Sequence, residues 1–395
     1  MSDPSAIGTS TALPVPPAGW FDYAYAVLMN GRLGLIRTRS NIHRDWWSWW
    51  QAVVAARNAG PEGPEQPDFW SGGIRVSVYD GSAETNVVDL PNGSLIALDR
   101  MRDGRWLVAC SRDENPDDVR IYSGDGRELR AIDLGGGIQR LLASPDGTIW
   151  IGYSEETIFD GPDENGLRPL SSGGIVQFDE FGGVLWSFND SGREAELGSW
   201  ARVDDCPSLT LTGSTLWTCL PDHSRRLDDQ PSRWVRIVGG TISSWPSDAH
   251  GERAIAVADD LVLAAGFDFE EANRLVVVRT DGRLGSFRFN PLVSAGRPLL
   301  QYPGDRLQFI YGFDAPKERG PSLLQGRDGV LHIVQGGRWT RISADQALKA
   351  VDPLDDVPRS LGPPFFVRIY PPGPTVTDSF GQSFFAPPSS PADRS

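Results

Sequence analysis

The chain has 395 residues, 39% of them hydrophobic, with 44 glycines and 31 prolines. That length suffices for one large β domain or two ordinary ones, and the turn-rich composition suits many short strands. Lys and Arg number 37 against 52 Asp and Glu, a net charge of −15 that disfavours nucleic acid and membrane surfaces as partners.

The three cysteines, Cys110, Cys206 and Cys219, show no CxxC spacing and fit a reduced, cytoplasmic protein. No apolar run approaches the roughly 20 residues of a membrane helix. Residues 1–19 lack the basic and apolar regions of a secretory signal and read as a flexible N-terminal segment.

From residue 20 a unit recurs: apolar run, Asp-Gly or Asn-Gly turn, alternating run, polar loop, alternating run, second turn, alternating run. Asx-Gly between alternating segments marks a hairpin, because glycine accepts the positive φ of the turn. The first copy, YAYAVLMNGRLGLIRTR with GIRVSVYDGSAETNVVDL, is split by an insertion at 39–72. RMRDGRWLVACSR with DVRIYSGDGRELRAIDLG follows, then LLASPDGTIWIGYSEE with GGIVQFDEFGGVLWSFND. LTLTGSTLWTCLPDH pairs with RWVRIVGGTISSWPSD, and AIAVADDLVLAAGFDFEE with RLVVVRTDGRLGSFRFN. The last copy is PLLQYPGDRLQFIYGFD with PSLLQGRDGVLHIVQGG. The second turns fall near residues 80, 125, 181, 239, 281 and 328, and four short strands per period of about 50 residues are the pattern of propeller blades. The expected fold is an all-β, six-bladed β-propeller over 20–342. Residues 343–395 read as a short helix and a Pro- and Ser-rich tail. If RWTRI and FFVRIY in the C-terminal region belong to one further unit, the ring has seven blades.

The DGxxW-apolar-apolar pattern of Asp103 to Val108 and Asp146 to Ile151 resembles six-bladed propellers of the NHL-like, strictosidine-synthase-like and gluconolactonase groups. The resemblance covers about residues 20 to 340 at the level of blades and identifies no subfamily. Trp106, Trp150 and Trp217 occupy one position of the repeat, where packing between neighbouring blades is the expected role. Glu62-Gly63-Pro64 matches in letters the metal-ligating Glu-Gly-Pro motif of the gluconolactonase group. It lies in a Pro-rich loop and does not open a strand, which argues against a lactonase assignment.

The first and third connections of each unit are short; the longer ones, at 39–72, 112–118, 155–172, 221–232, 268–272 and 314–321, belong on the opposite face. Function is expected on that long-loop face. Its acids include Glu155, Glu156, Asp228, Asp268 and Glu270, oxygen donors of the type that hold Ca²⁺ or Mg²⁺. The bland reading is a set of solvated acids on an acidic protein. His43, His223 and His250 map to the same face, and His223 beside Asp222 is the acid–base candidate. His332 falls within an alternating strand and reads as core.

In the insertion, HRDWWSWWQAVVAARNAG has a helix start at Asp45, a stop at Gly60, and Trp46, Trp49 and Trp50 on one face with Trp47 at its side. Such a helix can cap the channel, cover a pocket, offer a platform on which a sugar stacks, or dock a partner. The favoured reading is a non-catalytic propeller that binds a protein or small-molecule ligand through its long-loop face. The alternative is a hydrolase or lyase with a funnel site, dependent on a divalent cation.

Overall fold

The computed structural model describes residues 8–42, 45, 48–49, 52, 72–90, 94–112, 115–159, 161, 168–191, 203–204, 206, 208–221, 232–247, 252–259, 261–266, 274–279, 282–288, 323–335, 337–350, 352–353, 365–366, 375–377 and 383–385. Strand β1 (Thr9–Ala12) precedes a four-stranded antiparallel sheet of β2 (Phe21–Val27), β3 (Leu33–Thr38), β4 (Ile74–Tyr79) and β5 (Glu84–Leu90). The second sheet contains β6 (Ser94–Arg100), β7 (Trp106–Arg112), β8 (Asn115–Tyr122) and β9 (Glu128–Asp133). The third contains β10 (Ile138–Ala143), β11 (Ile149–Tyr153), β12 (Ile175–Phe178) and β13 (Val184–Ser187), with helix α1 (Glu155–Ile158) between β11 and β12. The fourth contains β14 (Thr210–Thr212), β15 (Thr215–Pro221), β16 (Ser232–Val238) and β17 (Thr241–Ser247). The fifth contains β18 (Glu252–Ala258), β19 (Leu261–Gly266), β20 (Arg274–Arg279) and β21 (Gly282–Arg288).

The turns between these strands form because aspartate and glycine divide the work. Asp146 Oδ1 accepts the Thr148 amide at 3.0 Å and the Thr148 hydroxyl at 2.7 Å, while Gly147 takes φ +90. Asp179 Oδ1 accepts the amides of Phe181 and Gly183, both at 2.8 Å, in the turn between β12 and β13. Part of the acidic composition is therefore spent on closing hairpins.

Glycines of the third-to-fourth strand turns also set the spacing between sheets. A Cβ on Gly126 would stand 2.3 Å from Val88 of the first sheet, and one on Gly182 would stand 2.4 Å from Ile132 of the second. Both glycines sit at φ +91, so shape and conformation select the same residue.

Apolar clusters lie between successive sheets. Trp106 packs with Val88 and Leu90 between the first and second, and Trp150 lies in the cluster joining the second, third and fourth. Trp217 packs with Ile255 and Val257 between the fourth and fifth. All three indoles are buried, and each belongs to a cluster shared by neighbouring sheets.

A further sheet of β22 (Leu323–Arg327), β23 (Val330–Gln335) and β24 (Arg338–Ser343) takes β1 as its outer strand, with Thr9 opposite Arg341 and Ala12 opposite Arg338. It packs Val334 and Trp339 against Tyr25, Leu33, Leu35 and Tyr79 of the first sheet. On its other side β22 lies against β18. The ring thus joins chain start to chain end, and the fold is an all-β propeller.

Blade construction departs from the expected six like units. Five sheets consist of four strands consecutive in the chain. The remaining one uses β22 to β24 plus a strand from residues 9–12, inside the N-terminal segment set apart above. The turn at Asp328-Gly329 joins strands one and two of that sheet, not three and four, and RWTRI is its third strand. Residues 298–314, assigned above to that unit, lie outside the described residues. The seven-blade alternative fails on pairing: Phe365–Phe366 (β26) adds to β17, away from RWTRI. The connection at 112–118 is also short, since β7 ends at Arg112 and β8 begins at Asn115.

Helix α2 (Ala344–Ala350) follows β24, and Asp352–Pro353 (β25) pairs with β21. Two more strands, β27 (Thr375–Thr377) and β28 (Ser383–Phe385), form a separate hairpin.

Candidate functional site

The first strands of the sheets lie against one another around the axis. The C-terminal ends of β2, β6, β10 and β22, each followed by a short turn, meet at a buried ion pair. Asp99 is the next-to-last residue of β6 and Arg327 the last of β22; both side chains are almost fully buried, and Arg327 Nη1 donates to Asp99 Oδ2 at 3.1 Å. Arg327 Nη2 also donates to the Ala143 carbonyl of β10 at 2.6 Å. Asp99 accepts the amides of Met29 and Arg100 on Oδ1, both at 2.7 Å, and that of Ala143 on Oδ2 at 2.8 Å. Burial raises the Asp99 pKa, with Arg327 and the three amides pulling the other way. Nearby, Gln325 Oε1 accepts the Val27 amide at 3.0 Å and Thr210 Oγ1 donates to the Gly326 carbonyl at 2.7 Å. Side chains of β22 therefore tie β2, β6 and β10 together at the short-turn end of the axis.

The other end carries the long connections. There, four of the first strands share an irregularity: the pairing register skips one residue between Asp22 and Ala24, Leu95 and Ala97, Ile138 and Arg140, and Glu252 and Ala254. Tyr23, Ile96, Gln139 and Arg253 thus hold equivalent bulge positions. A bulge re-aims a side chain and bends its strand, and bulges are over-represented beside functional sites. Gln139 is buried and its Oε1 lacks a hydrogen-bond partner, whereas Tyr23 packs into the cluster between the first and second sheets. Sequence reasoning missed this set because its members share no chemistry.

Of the insertion, residues 42, 45, 48, 49 and 52 are helical. The Asp45 amide donates to the Asn41 carbonyl at 2.9 Å, so Asp45 lies inside the first turn and is not its cap. Trp49 is partly buried against the cluster between the first and second sheets, which also includes Ile42. Trp46, Trp47, Trp50 and the Glu62-Gly63-Pro64 stretch lie outside the described residues, as do His43, Asp222, His223, Asp228, His250, Asp268 and Glu270. Glu155 is exposed in α1, and Glu156 follows it in the same helix. Among the described residues, no group of three His, Cys, Asp or Glu is placed to hold a metal ion. Cys206 and Cys219 are buried.

His332, in β23, is buried in the closing sheet. Its ring stacks on Trp339 at 5.7 Å between centroids, and Nδ1 accepts the Trp339 indole N–H at 3.2 Å. Burial, with Arg341 and Arg327 nearby, pushes its pKa down to about 3. The unfolded chain takes up a proton near pH 6.5 that the folded chain refuses. Stability from this group is therefore full above about pH 6.5 and declines as pH falls toward 3. The slope is roughly 1.4 kcal/mol per pH unit, hence a loss on the order of 3 kcal/mol by pH 4.5. Urea unfolding at pH 7 and pH 4.5 should show that extra loss in the native protein and not in His332→Leu; equal losses in both would remove the histidine as the cause.

No family model matches the chain, and no curated protein sequence matches it. Solved structures do. A protein of unknown function from Bacteroides caccae matches at 12% identity over 57% of this chain and 66% of its own, with a TM-score of 0.34. The β-propeller domain of the trilobed protease from Pyrococcus furiosus matches at 9% identity over 81% of this chain and 79% of its own, with a TM-score of 0.37. A gluconolactonase from Xanthomonas campestris matches at 12% identity over 85% of this chain and 98% of its own, also with a TM-score of 0.37. None of these likenesses identifies a subfamily or an activity.

Proposed function

We infer that the chain is a six-bladed propeller, its closing sheet counted as the sixth blade, that binds a protein or small-molecule ligand through its long-loop face. The asymmetry of the two ends carries the reading. Asp99 and Arg327 tie the short-turn end together, whereas the connections 39–73, 154–174, 188–209, 222–231 and 289–322 all belong to the other. A rigid ring with its variable loops on one face is an arrangement suited to recognition. Trp49 roots the insertion in the scaffold on that face, so its remaining tryptophans are the contact residues. At a net charge of −15 the favoured ligands are neutral or cationic.

The test is thermal melting against a panel of such small molecules and, in separate arms, Ca²⁺, Mg²⁺ and EDTA. A ligand at 100 times its Kd should stabilise the fold by about 2.7 kcal/mol. That gain should vanish in Trp46→Ala/Trp47→Ala/Trp50→Ala, while ligand-free melting stays close to native. Melting that falls with EDTA, together with turnover of an ester or lactone by the triple variant, would overturn this reading in favour of the hydrolase.

A further inference from the structure

Trp20, just ahead of β2, is buried, and two arginines lie on its ring. The guanidinium carbon of Arg39 stands 4.1 Å from the ring centroid and that of Arg75 4.3 Å. Strand pairing brings them together. Phe21 lies opposite Thr38, so the residues just outside that pair, Trp20 and Arg39, meet at the long-loop end of the first sheet. Arg75 comes from β4, opposite Arg37 of β3. A guanidinium on an indole gains from both charge and stacking.

The three arginines of this corner differ in what their N–H groups hold. Arg37 is fully buried and donates to Asp22 at 2.8 Å and to Glu84 at 2.6 Å. Arg75 grips Asp89 through two parallel bonds, Nε to Oδ1 at 2.6 Å and Nη2 to Oδ2 at 2.8 Å. Arg39 is exposed and makes no ion pair or side-chain hydrogen bond among the described residues. Its stem and head are confined all the same. A Cβ on Gly72 would stand 2.4 Å from Arg39 Cβ, and one on Gly19 would stand 3.4 Å from Arg39 Nη1. A fork held in place with its donors open to solvent loses little freedom when it binds.

We propose that Arg39 is a carboxylate-binding site at the root of the 39–73 connection, and that it takes the terminal carboxylate of an amino acid or peptide of zero or positive net charge. The fork matches a carboxylate in two parallel N–H···O bonds, the arrangement Arg75 already makes with Asp89 one strand away. At a net charge of −15 the chain repels a ligand that is negative overall, so the carboxylate has to sit on a neutral or cationic body. Asp89 serves the other end of such a ligand. Its carboxyl, kept below the usual pKa by Arg75 and then by Arg39, is 60% exposed and open to an ammonium group. The inference rests on the ligand-binding reading above and names one group of the ligand.

Calorimetric titration of the full-length protein tests it, with lysyl-alanyl-alanine, the same peptide amidated at its C-terminus, and free alanine as probes. The peptide acid is expected to bind at least about tenfold more tightly than the amide. That preference should vanish in Arg39→Met, which keeps an apolar cover on Trp20, and fall in Arg39→Lys, which keeps the charge and loses the fork. Alanine binding like the peptide acid would make the ligand a free amino acid; binding of the peptide acid alone would make it a chain terminus. Equal binding of acid and amide, no binding of either, or a preference that survives Arg39→Met would overturn the proposal. Acid and amide bound alike, and both lost in Trp46→Ala/Trp47→Ala/Trp50→Ala, would remove the carboxylate site and leave the ligand-binding reading standing.

Discussion

Arg327→Met should lower the unfolding free energy by about 3–5 kcal/mol, because it leaves Asp99 buried without its cation. Asp99→Leu should cost at least as much, for a reason particular to this hub. Three amides, those of Met29, Arg100 and Ala143, direct their hydrogen bonds at that one carboxylate. Each orphaned buried amide costs about 1–3 kcal/mol. Many buried ion pairs can be exchanged for apolar residues at little cost, but this one cannot if the amides depend on it. The double variant Asp99→Leu/Arg327→Met relieves the unpaired cation but not the amides, so it should recover part of the loss of Asp99→Leu and still fall well below the native chain. Urea midpoints and m-values at pH 7 decide the matter. A double variant as stable as the native chain would show that the amides find other acceptors and that the hub contributes little.

What the sequence disclosed follows from how local each signal is. Asp146-Gly147 declares its hairpin because acceptor, donor and positive φ lie within a few residues. Trp106, Trp150 and Trp217 declare a repeated buried position because the same indole recurs at one offset from the turn. Strand β1 gave no such sign: Thr9–Ala12 has no apolar alternation, and its partner, β24, lies at the far end of the chain. Without β1, the turn at Asp328-Gly329 was assigned to the wrong pair of strands, which moved the last unit out of register.

The candidate site was less legible than the fold. Nothing in the letters Asp99 and Arg327 singles them out among the 52 acids and 37 bases of the chain; only the convergence of four strand ends makes them a pair. The bulges at Tyr23, Ile96, Gln139 and Arg253 were likewise invisible, since a bulge is a relation between two strands and leaves no fixed residue type behind. Trp49 was visible as an aromatic but not as an anchor, because the cluster it touches is built from two different sheets.

Gly326→Ala should be the most damaging single substitution in the described chain. A Cβ at this position would stand 1.6 Å from the Ile255 carbonyl oxygen, 2.3 Å from its carbon and 2.8 Å from the Ala256 nitrogen. Ordinary carbon–oxygen contacts are about 3.3 Å or longer, and all three clashing atoms are backbone, so no rotamer change relieves them. Strand β22 would have to move more than an ångström from β18. Its neighbours resist that movement: Gln325 is bonded to Val27, Arg327 to Asp99 and Ala143, and the Gly326 carbonyl to Thr210. The expected loss is above about 4 kcal/mol, in the range that marks a disrupted core. Gly337→Ala is the matched control, with φ +71 in the turn between β23 and β24 and no atom within 4 Å of the added methyl. It should cost only the left-handed backbone strain, about 1–2 kcal/mol. Similar melting of the two variants would mean that β22 is not seated against β18. A large gap between them would make the glycine at the axis, and not the turn glycines, the residue on which closure of the ring depends.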